Sequence, residues 1–201
     1  MRIINKLNII FLLLILSLTI SCSSGPEIRE ASMDETVTGS DWSAKDLKVV
    51  STYMLNSLKK AKFLRSISYR KNKPAWMLAK SMEKNTDEHI DTRVMMEKIR
   101  TKLINQGVAE FIDDKALEGA MKQLRLQSSD LFDATKASKL GKLIGAKFIL
   151  RGRMTNIRKK NARTDINYIN IILQAVNIET SKIVWTDEKE ITRYTKKSSS
   201  R

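Results

Sequence analysis

The chain has 201 residues, of which 42% are hydrophobic, and this composition is typical of a globular protein rather than a disordered one. Its formal net charge of +15 favours anionic partners, and its length supports one ordinary domain with a tail. A single cysteine excludes a disulfide within one chain, and with a single histidine it also excludes a structural zinc site of the Cys/His type.

The N-terminus has the organisation of an export signal. Arg2 and Lys6 precede a 14-residue hydrophobic run, Leu7–Ile20. A transmembrane helix needs about 20 apolar residues, so this run fits instead the apolar region of a signal peptide that is removed on export. We therefore predict that residues 1–21 are a signal peptide.

The cysteine at the end of this run, Cys22, resembles the cysteine of a bacterial lipobox, whose thiol receives a diacylglycerol before cleavage. Ser21 is the small residue before it, whereas Thr19 stands where the lipobox usually has Leu or Val. We predict that Cys22 is the lipid-attachment residue and holds the protein on a membrane. The alternative is an ordinary signal peptide with an accidental cysteine.

Residues 22–40 have the composition of a flexible linker. They are rich in Ser, Thr, Gly and Glu, and four acidic residues against Arg29 give them a net charge of −3. Residues 41–201 therefore carry about +16, because the signal peptide removes two further positive charges. A linker of this length reaches at most about 65 Å when fully extended, which tethers the body close to its membrane.

We place the globular body at residues 41–193. It begins with a helix. Ser43 and Asp46 match a capping box at the start of an amphipathic helix over residues 43–62. Seven basic residues and no acidic residue lie between Lys59 and Lys73, and we predict an exposed connection there. The first strand is predicted at residues 75–82.

A polar loop then leads to a helix that is capped by Asp91 or Thr92 and ends before Gly107. Ile90 and Val94 are spaced for a hydrophobic staple at its start. The later elements are a strand at 108–112, helices at 115–123 and 133–143, and strands at 147–156, 167–177 and 182–192.

This order of elements predicts an α/β (α+β) fold with one mixed, largely antiparallel sheet flanked by helices. Glu179-Thr180-Ser181 is the predicted turn between the last two strands, and residues 194–201 form a basic tail. Period-two spacing predicts that Trp185 packs into the sheet core and that Ile183 shares its face.

The candidate catalytic groups are few. His89 lies in a polar loop, where an exposed histidine is expected, and no serine stands in a G-x-S-x-G context. The glycines form neither a P-loop nor a G-x-G-x-x-G motif, and the acidic pairs at 87–88 and 113–114 fall in a loop and at a helix cap. We predict a protein that is not an enzyme and has no metal site and no cofactor.

A basic stretch lies on and after the strand at 147–156, with Arg151, Arg153, Arg158, Lys159, Lys160 and Arg163 in 13 residues without an acid. Arg151 and Arg153 lie on one face of a strand with period two. The stretch is either a solvated strand edge or a site for an anionic partner, such as an acidic protein surface, an anionic lipid or a charged cell-wall polymer.

Nucleic acid is not the predicted partner, because the chain carries an export signal and no helix-turn-helix or aromatic RNA-binding motif. An exported protein instead meets acidic proteins, lipids and cell-wall polymers. We therefore take Arg151, Arg153 and Arg158 as candidate partner-binding residues.

Residues 40–193 resemble the penicillin-binding protein activator LpoB family, in combination rather than through any single motif. The matching groups are Gly39-Ser40-Asp41-Trp42, the Lys84–Asp91 loop, Lys139-Leu140-Gly141 with Gly145–Gly152, and Glu179–Trp185. Ser181 stands where Gly is usual in the last group. Curli-secretion and TolB-like domains share that last motif.

The resemblance implies an outer-membrane lipoprotein that reaches through the periplasm, docks on a class A penicillin-binding protein and stimulates peptidoglycan synthesis. Better-known members have a long, Pro-rich tether, whereas this linker is short and contains only Pro26. Either the gap to the partner is small, the anchor is in the inner membrane, or the partner differs. The alternative is an assembly or secretion lipoprotein of the curli type, which forms homo-oligomers.

Overall fold

The computed structural model describes residues 41–86 and 90–196. The predicted signal peptide, Cys22, the linker, His89 and the last part of the basic tail lie outside the described residues. Within the described part, no helix has the length and apolar character needed to cross a bilayer.

The described residues form five α-helices, two 3-10 turns and six strands, in a mixed α/β arrangement that confirms the predicted fold class. The helices are α1 (Ala44–Lys59), α2 (Ile67–Asn72), α3 (Thr92–Asn105), α4 (Asp114–Gln123) and α5 (Ala134–Ile144). The 3-10 turns are Lys62–Arg65 and Ser128–Phe132. The strands are β1 (Ala75–Leu78), β2 (Glu83–Asn85), β3 (Glu110–Phe111), β4 (Ala146–Lys160), β5 (Thr164–Asn177) and β6 (Lys182–Lys196).

The strands form one open sheet in the order β3-β1-β4-β5-β6, with β2 pairing beside β1 on β4. The short strands β1, β2 and β3 are parallel to their neighbours, whereas β4, β5 and β6 are joined by antiparallel pairing along their length. These three strands are longer than predicted, and β6 continues to Lys196, three residues into the predicted basic tail. β2 was not predicted, because its three residues are all exposed and polar and so lack an apolar pattern.

Local capping signals set most helix boundaries as the sequence predicts, although α1 ends at Lys59, three residues before its predicted end. Ser43 and Asp46 form the capping box of α1, Asp91 caps α3, and Gly145 ends α5 in the left-handed conformation at φ +72°. The predicted partner of Ile90 in the hydrophobic staple is wrong. Val94 is 51% exposed, whereas Met95, one residue later and on the buried side of α3, packs in the same core as Ile90.

The basic stretch from Lys59 to Lys73 was predicted to be an exposed connection, and this prediction is wrong for its backbone. The stretch folds into a 3-10 turn and α2, and its Leu64 and Tyr69 are buried. The Tyr69 hydroxyl donates to the Val108 carbonyl and accepts from Trp76 Nε1, both at 2.9 Å. These bonds secure the stretch to the sheet, while its cationic side chains extend outward.

Helices cover the sheet on both faces, and each face has its own core. On one face, α1 and α3 pack with Trp76, Leu150 and Ile171 around a large aromatic and aliphatic cluster. On the other face, α4 and α5 pack with Met77, Ile149 and neighbouring side chains in a smaller cluster. The predicted mixed sheet flanked by helices is therefore confirmed.

A β-bulge separates Ile183 and Trp185. Ala175 pairs with Trp185 and Val176 pairs with Ile183, so Val184 is an extra residue in β6. Trp185 is partly buried against the core beneath α1, where its Nε1 donates to Ser57 Oγ at 3.3 Å. Ile183 is 50% exposed, and the predicted sharing of a face is wrong because the bulge breaks the period of two.

Candidate docking surface

The strands β4, β5 and β6 extend beyond the helices on one side of the sheet. There α4 and α5 cover only the region around Ile149 and Val176. Farther along, the side chains on this side are half-buried or exposed. We call this surface the open face. It consists of the odd positions 151–159 of β4, the even positions 164–174 of β5 and the even positions 186–196 of β6.

Arg151 lies at the border between the open face and the covered region. Its Nη1 donates to the Phe132 carbonyl at 2.9 Å, and its guanidinium carbon lies 5.6 Å from the centre of the Phe132 ring. Nε donates a longer bond of 3.4 Å to Gln174 Oε1. Partial burial lowers the pKa of Arg151, and the nearby Arg153 charge lowers it further. The side chain is thus held in place by neutral groups, and its charge is only partly compensated.

Arg153 stands beside Arg151 on the same face and is more exposed. Its Nε donates to Glu83 Oε2 at 2.8 Å, an ion pair that β2 provides by pairing with β4. The two arginines border a cleft of about 210 Å³, whose other lining residues are Glu83, Phe132, Gly152, Ile172 and Gln174. Two guanidinium groups against one carboxylate leave a positive charge here, which suits a carboxylate ligand because guanidinium can donate two parallel hydrogen bonds.

Arg158, the third candidate from the sequence, lies on the opposite face of β4. It forms a two-point ion pair with Asp165, with Nε donating at 3.0 Å and Nη2 at 2.7 Å, and a further contact at 3.1 Å with Asp41. Asp165 is buried, so this pair is part of the covered side of the sheet. The structure therefore brings Arg151 and Arg153 together and places Arg158 apart from them.

On the open face most cationic residues lie on β4, apart from Lys196 at the end of β6, and the acidic residues lie on β6. Arg153 and Lys159 lie on β4, whereas Glu188 and Glu190 lie on β6. The Glu190 carboxylate accepts a hydrogen bond from Tyr168 and raises the pKa of that phenol. Two large apolar side chains on this face are also exposed, Ile157 at 63% and Tyr194 at 59%. Apolar side chains among separated charges are a suitable pattern for a protein partner.

The sequence did not indicate Glu83, Phe132 or Gln174 as neighbours of the two arginines. Gln174 could have been found, because it is the antiparallel partner of Arg151 in the register of the β4–β5 hairpin. Glu83 and Phe132 come from separate parts of the chain, and their approach depends on the tertiary fold. Among the described residues, no cluster of His, Cys, Asp and Glu side chains is suited to hold a metal ion.

Comparison with known proteins identifies the family. The family model for the peptidoglycan-synthase activator LpoB matches residues 46–191, which is more than half of the chain. No curated protein matches the chain at a significant level.

Matches among solved structures include two LpoB domains. The C-terminal domain of LpoB from Salmonella enterica is 18% identical with a TM-score of 0.49, covering 72% of this chain and 94% of that one. The corresponding Escherichia coli domain is 20% identical with a TM-score of 0.47, covering 59% of this chain and 82% of that one. The lipoprotein GNA1162 from Neisseria meningitidis is 13% identical with a TM-score of 0.48, covering 64% and 87%.

The assignment rests on the family model, because these structures are distant in sequence. The matched residues begin in α1 and end in β6, so they include both cores and most of the open face, although Tyr194 lies beyond them. The chain therefore belongs to the LpoB family of peptidoglycan-synthase activators.

Proposed function

We propose that this protein is a lipid-anchored, non-catalytic activator that acts from the periplasmic side of the outer membrane by binding a class A penicillin-binding protein. The observation that carries the proposal is the family match over residues 46–191. The export signal and the position of Cys22 in the sequence support the anchor.

The proposed mechanism is a shift between conformations of the synthase. A regulator without catalytic groups can raise the activity of an enzyme only by binding its active conformation more tightly than its inactive one. The open face supplies the surface for this binding, with Arg151 and Arg153 directed at carboxylates of the synthase and the exposed apolar side chains packing beside them.

The docking test replaces Arg151 and Arg153 with Glu and measures synthase affinity at low and moderate salt. We expect weaker binding, mainly through slower association, with a reversed salt dependence. Arg153→Glu alone serves as a second variant because Arg153 is the more exposed of the two, and circular dichroism checks folding. The matched control, Lys139→Glu with Lys142→Glu, makes the same charge change on exposed positions of α5. Unchanged affinity of a folded double variant at both salts would remove Arg151 and Arg153 from the interface.

The anchor test is Cys22→Ala. We expect the wild-type protein to incorporate labelled palmitate and to partition into detergent, since acyl chains add about 0.8 kcal/mol of membrane affinity per buried CH₂. The variant should lose both properties and remain unprocessed at this site. Equal palmitate incorporation by the two proteins would contradict the lipoprotein assignment, and membrane fractionation of the wild type would decide between outer and inner membrane.

A second candidate function is the homo-oligomeric assembly or secretion lipoprotein. It is favoured by β6, a 15-residue strand that pairs only with β5 among the described strands and so leaves one edge for another chain. Size-exclusion chromatography with light scattering on residues 23–201 distinguishes the two. A stable oligomer would favour assembly, and a monomer that binds the synthase would favour activation.

A further inference from the structure

A second concave surface lies where the end of α1, α2 and the turn after α3 meet, and it shares no residue with the open face. We call it the basic cleft. It has a volume of about 550 Å³, within the range of small-molecule sites. Its lining residues are Lys59, Leu64, Arg65, Tyr69, Arg70, Lys73, Gly107 and Val108.

The rim of the basic cleft is cationic throughout. Four exposed side chains form it, namely Lys59, Arg65, Arg70 and Lys73. No acidic side chain lines the cleft, and within the described part of the chain none of the four takes part in an ion pair. In this they differ from Arg100, Arg158 and Arg193, each of which is paired with a carboxylate. The four uncompensated charges repel one another, and an anion between them removes that repulsion.

The floor of the basic cleft is apolar. Leu64 and Tyr69 are buried side chains, and Val108 is half-buried beside them. The Tyr69 hydroxyl is already bonded to the Val108 carbonyl and to Trp76, which fixes the ring in position. Burial raises the pKa of Tyr69 to about 12, so the phenol stays neutral and adds no negative charge to the floor.

Lys73 is placed on the rim by the end of α2. It caps this helix in the left-handed conformation at φ 36°, and its backbone N–H donates to the Tyr69 carbonyl at 2.8 Å. Pro74 follows, and proline cannot continue the helix, so the chain leaves toward β1 at this residue. The rim therefore belongs to a folded segment, and its charges are not those of a freely moving tail.

A cationic rim around an apolar floor suits a ligand that has an anionic group next to an apolar part. A free phosphate would meet the rim but leave the floor exposed to water. An anionic phospholipid offers a phosphate for the rim and glycerol and acyl carbons for the floor. We propose that the basic cleft binds the phosphate headgroup of an anionic phospholipid, which gives the folded body a membrane contact that is independent of Cys22.

This contact would orient the body on the membrane surface. Each Lys or Arg near an anionic surface contributes about 1 kcal/mol of attraction, so four together are a substantial attachment. The open face shares none of the cleft residues and stays available to a protein partner.

The test measures binding to vesicles by co-sedimentation, using residues 23–201 so that no acyl chain contributes. This segment contains every described residue of both cores. The vesicles are phosphatidylcholine alone, or equal parts of phosphatidylcholine and phosphatidylglycerol. The cleft variant replaces Lys59, Arg65, Arg70 and Lys73 with Gln. The matched control replaces four exposed lysines of α4 and α5 that form no ion pair within the described part of the chain, namely Lys115, Lys122, Lys139 and Lys142, with Gln.

We expect the wild type to bind the anionic vesicles and not the neutral ones. The cleft variant should bind at least about tenfold more weakly than the wild type, and the control should keep most of its binding. Equal losses in the two variants would show attraction to the overall charge and would overturn the proposal. Melting temperatures near the wild-type value in both variants make the comparison valid, and Lys73→Gln with Arg70→Gln is the milder pair if the fourfold variant unfolds.

Two further measurements determine which class of anion the basic cleft binds. Glycerol phosphate and a polyglutamate peptide are titrated into the wild type and the cleft variant by calorimetry. Cleft-dependent binding of glycerol phosphate as tight as that of vesicles would make this a site for a soluble phosphate. Cleft-dependent binding of polyglutamate in the absence of vesicle binding would make it a site for an acidic protein segment. Either result would overturn the lipid proposal and leave synthase binding through the open face untouched.

Discussion

The two sides of the β4–β6 sheet share the same strands but have different environments. On the covered side, Ile169, Ile171 and Leu173 of β5 are fully buried beneath α1 and α3. On the open face, Ile166 and Ile172 of the same strand remain partly exposed. One side of an antiparallel sheet can face solvent, and the partly exposed apolar side chains on this side are consistent with the proposed docking surface.

The charged groups on the two sides also differ. On the covered side, Arg193 of β6 donates to both carboxylate oxygens of Asp46 at 2.7 Å and to Ser43 Oγ. These bonds hold the last part of β6 against the start of α1. On the open face, Arg151 is held by a carbonyl and a ring and forms no ion pair among the described residues. The first arginine therefore stabilises the fold, whereas the charge of the second is matched by no carboxylate among the described residues, which supports its proposed role in binding.

The largest effect is expected from removing the central ring of the covered side. Trp76 is fully buried among Phe63, Tyr69, Phe111 and Phe148. Trp76→Ala should lower the free energy of unfolding by about 3–5 kcal/mol, through lost burial and the cavity that remains. Urea denaturation measures this, with Trp76→Phe as the milder control. A change below about 1 kcal/mol would show that this core is loosely packed.

The next effect is expected from the ion pair that closes the covered side. Asp46→Ala removes the capping carboxylate of α1 and leaves the largely buried Arg193 guanidinium without its partner. The free energy of unfolding should fall by about 2–4 kcal/mol. A double-mutant cycle with Arg193→Met separates the pair from the cap, and additive effects in that cycle would mean that the pair contributes nothing beyond its parts.

Replacing two glycines, Gly152 and Gly119, with Ala should give smaller changes in stability of opposite sign. An added Cβ at Gly152 would lie 2.6 Å from Leu173 Cδ2 and 2.9 Å from Met82 Cγ, whereas at Gly119 it would meet nothing within 4 Å. Gly152→Ala should destabilise the protein by about 1–3 kcal/mol through overpacking. Gly119→Ala should stabilise it by about 0.5–1 kcal/mol, because Gly119 lies within α4. Thermal melting of both variants gives the signs, and a stabilised Gly152→Ala would mean that the covered side has unfilled space.

The smallest effect on stability is expected on the open face. Ile157→Thr and Tyr194→Thr should each change the free energy of unfolding by less than about 0.5 kcal/mol, because both side chains are mostly exposed. If the open face is the docking surface, the same variants should weaken synthase binding clearly while the melting temperature stays constant. A large fall in melting temperature with unaltered binding would reverse the roles of the two sides.

Four of the five described helices and most of their ends were predictable because their signals are local. Asp113 and Asp133 cap α4 and α5 as the sequence indicates, and α3 ends before Gly107 as predicted. The strands β4, β5 and β6 were found but made too short, since their ends at Lys160, Thr164 and Lys196 have no apolar alternation. α2 and β2 were missed, because a basic helix of six residues and a polar strand of three have no periodic signal.

The candidate site was predictable only in part. Strand period correctly placed Arg151 and Arg153 on one face, but the basic run also suggested Arg158, whose even position in β4 directs it to Asp165 on the other side. Because the three arginines are close in sequence, they were predicted to form one basic patch. Side chains alternate between the two faces of β4, so Arg158 lies on the face opposite Arg151 and Arg153. The basic cleft was hidden for a related reason, since its cations come from a stretch that resembled an exposed connection while its floor includes Val108 from a later turn.

The sequence by itself determined the helix caps, the mixed sheet with its final antiparallel strands, and the family resemblance, because these depend on residues close together in the chain. Only the tertiary structure decided which arginines are paired, where the bulge at Val184 turns Ile183 away from Trp185, and which side of the sheet is left open. Those outcomes depend on contacts between segments far apart in sequence, such as Glu83 with Arg153 and Asp46 with Arg193, and on the packing of helices on a sheet. The spacing of residues in the sequence predicts which side chains share a face of a helix or strand, but it does not predict which distant side chains contact that face.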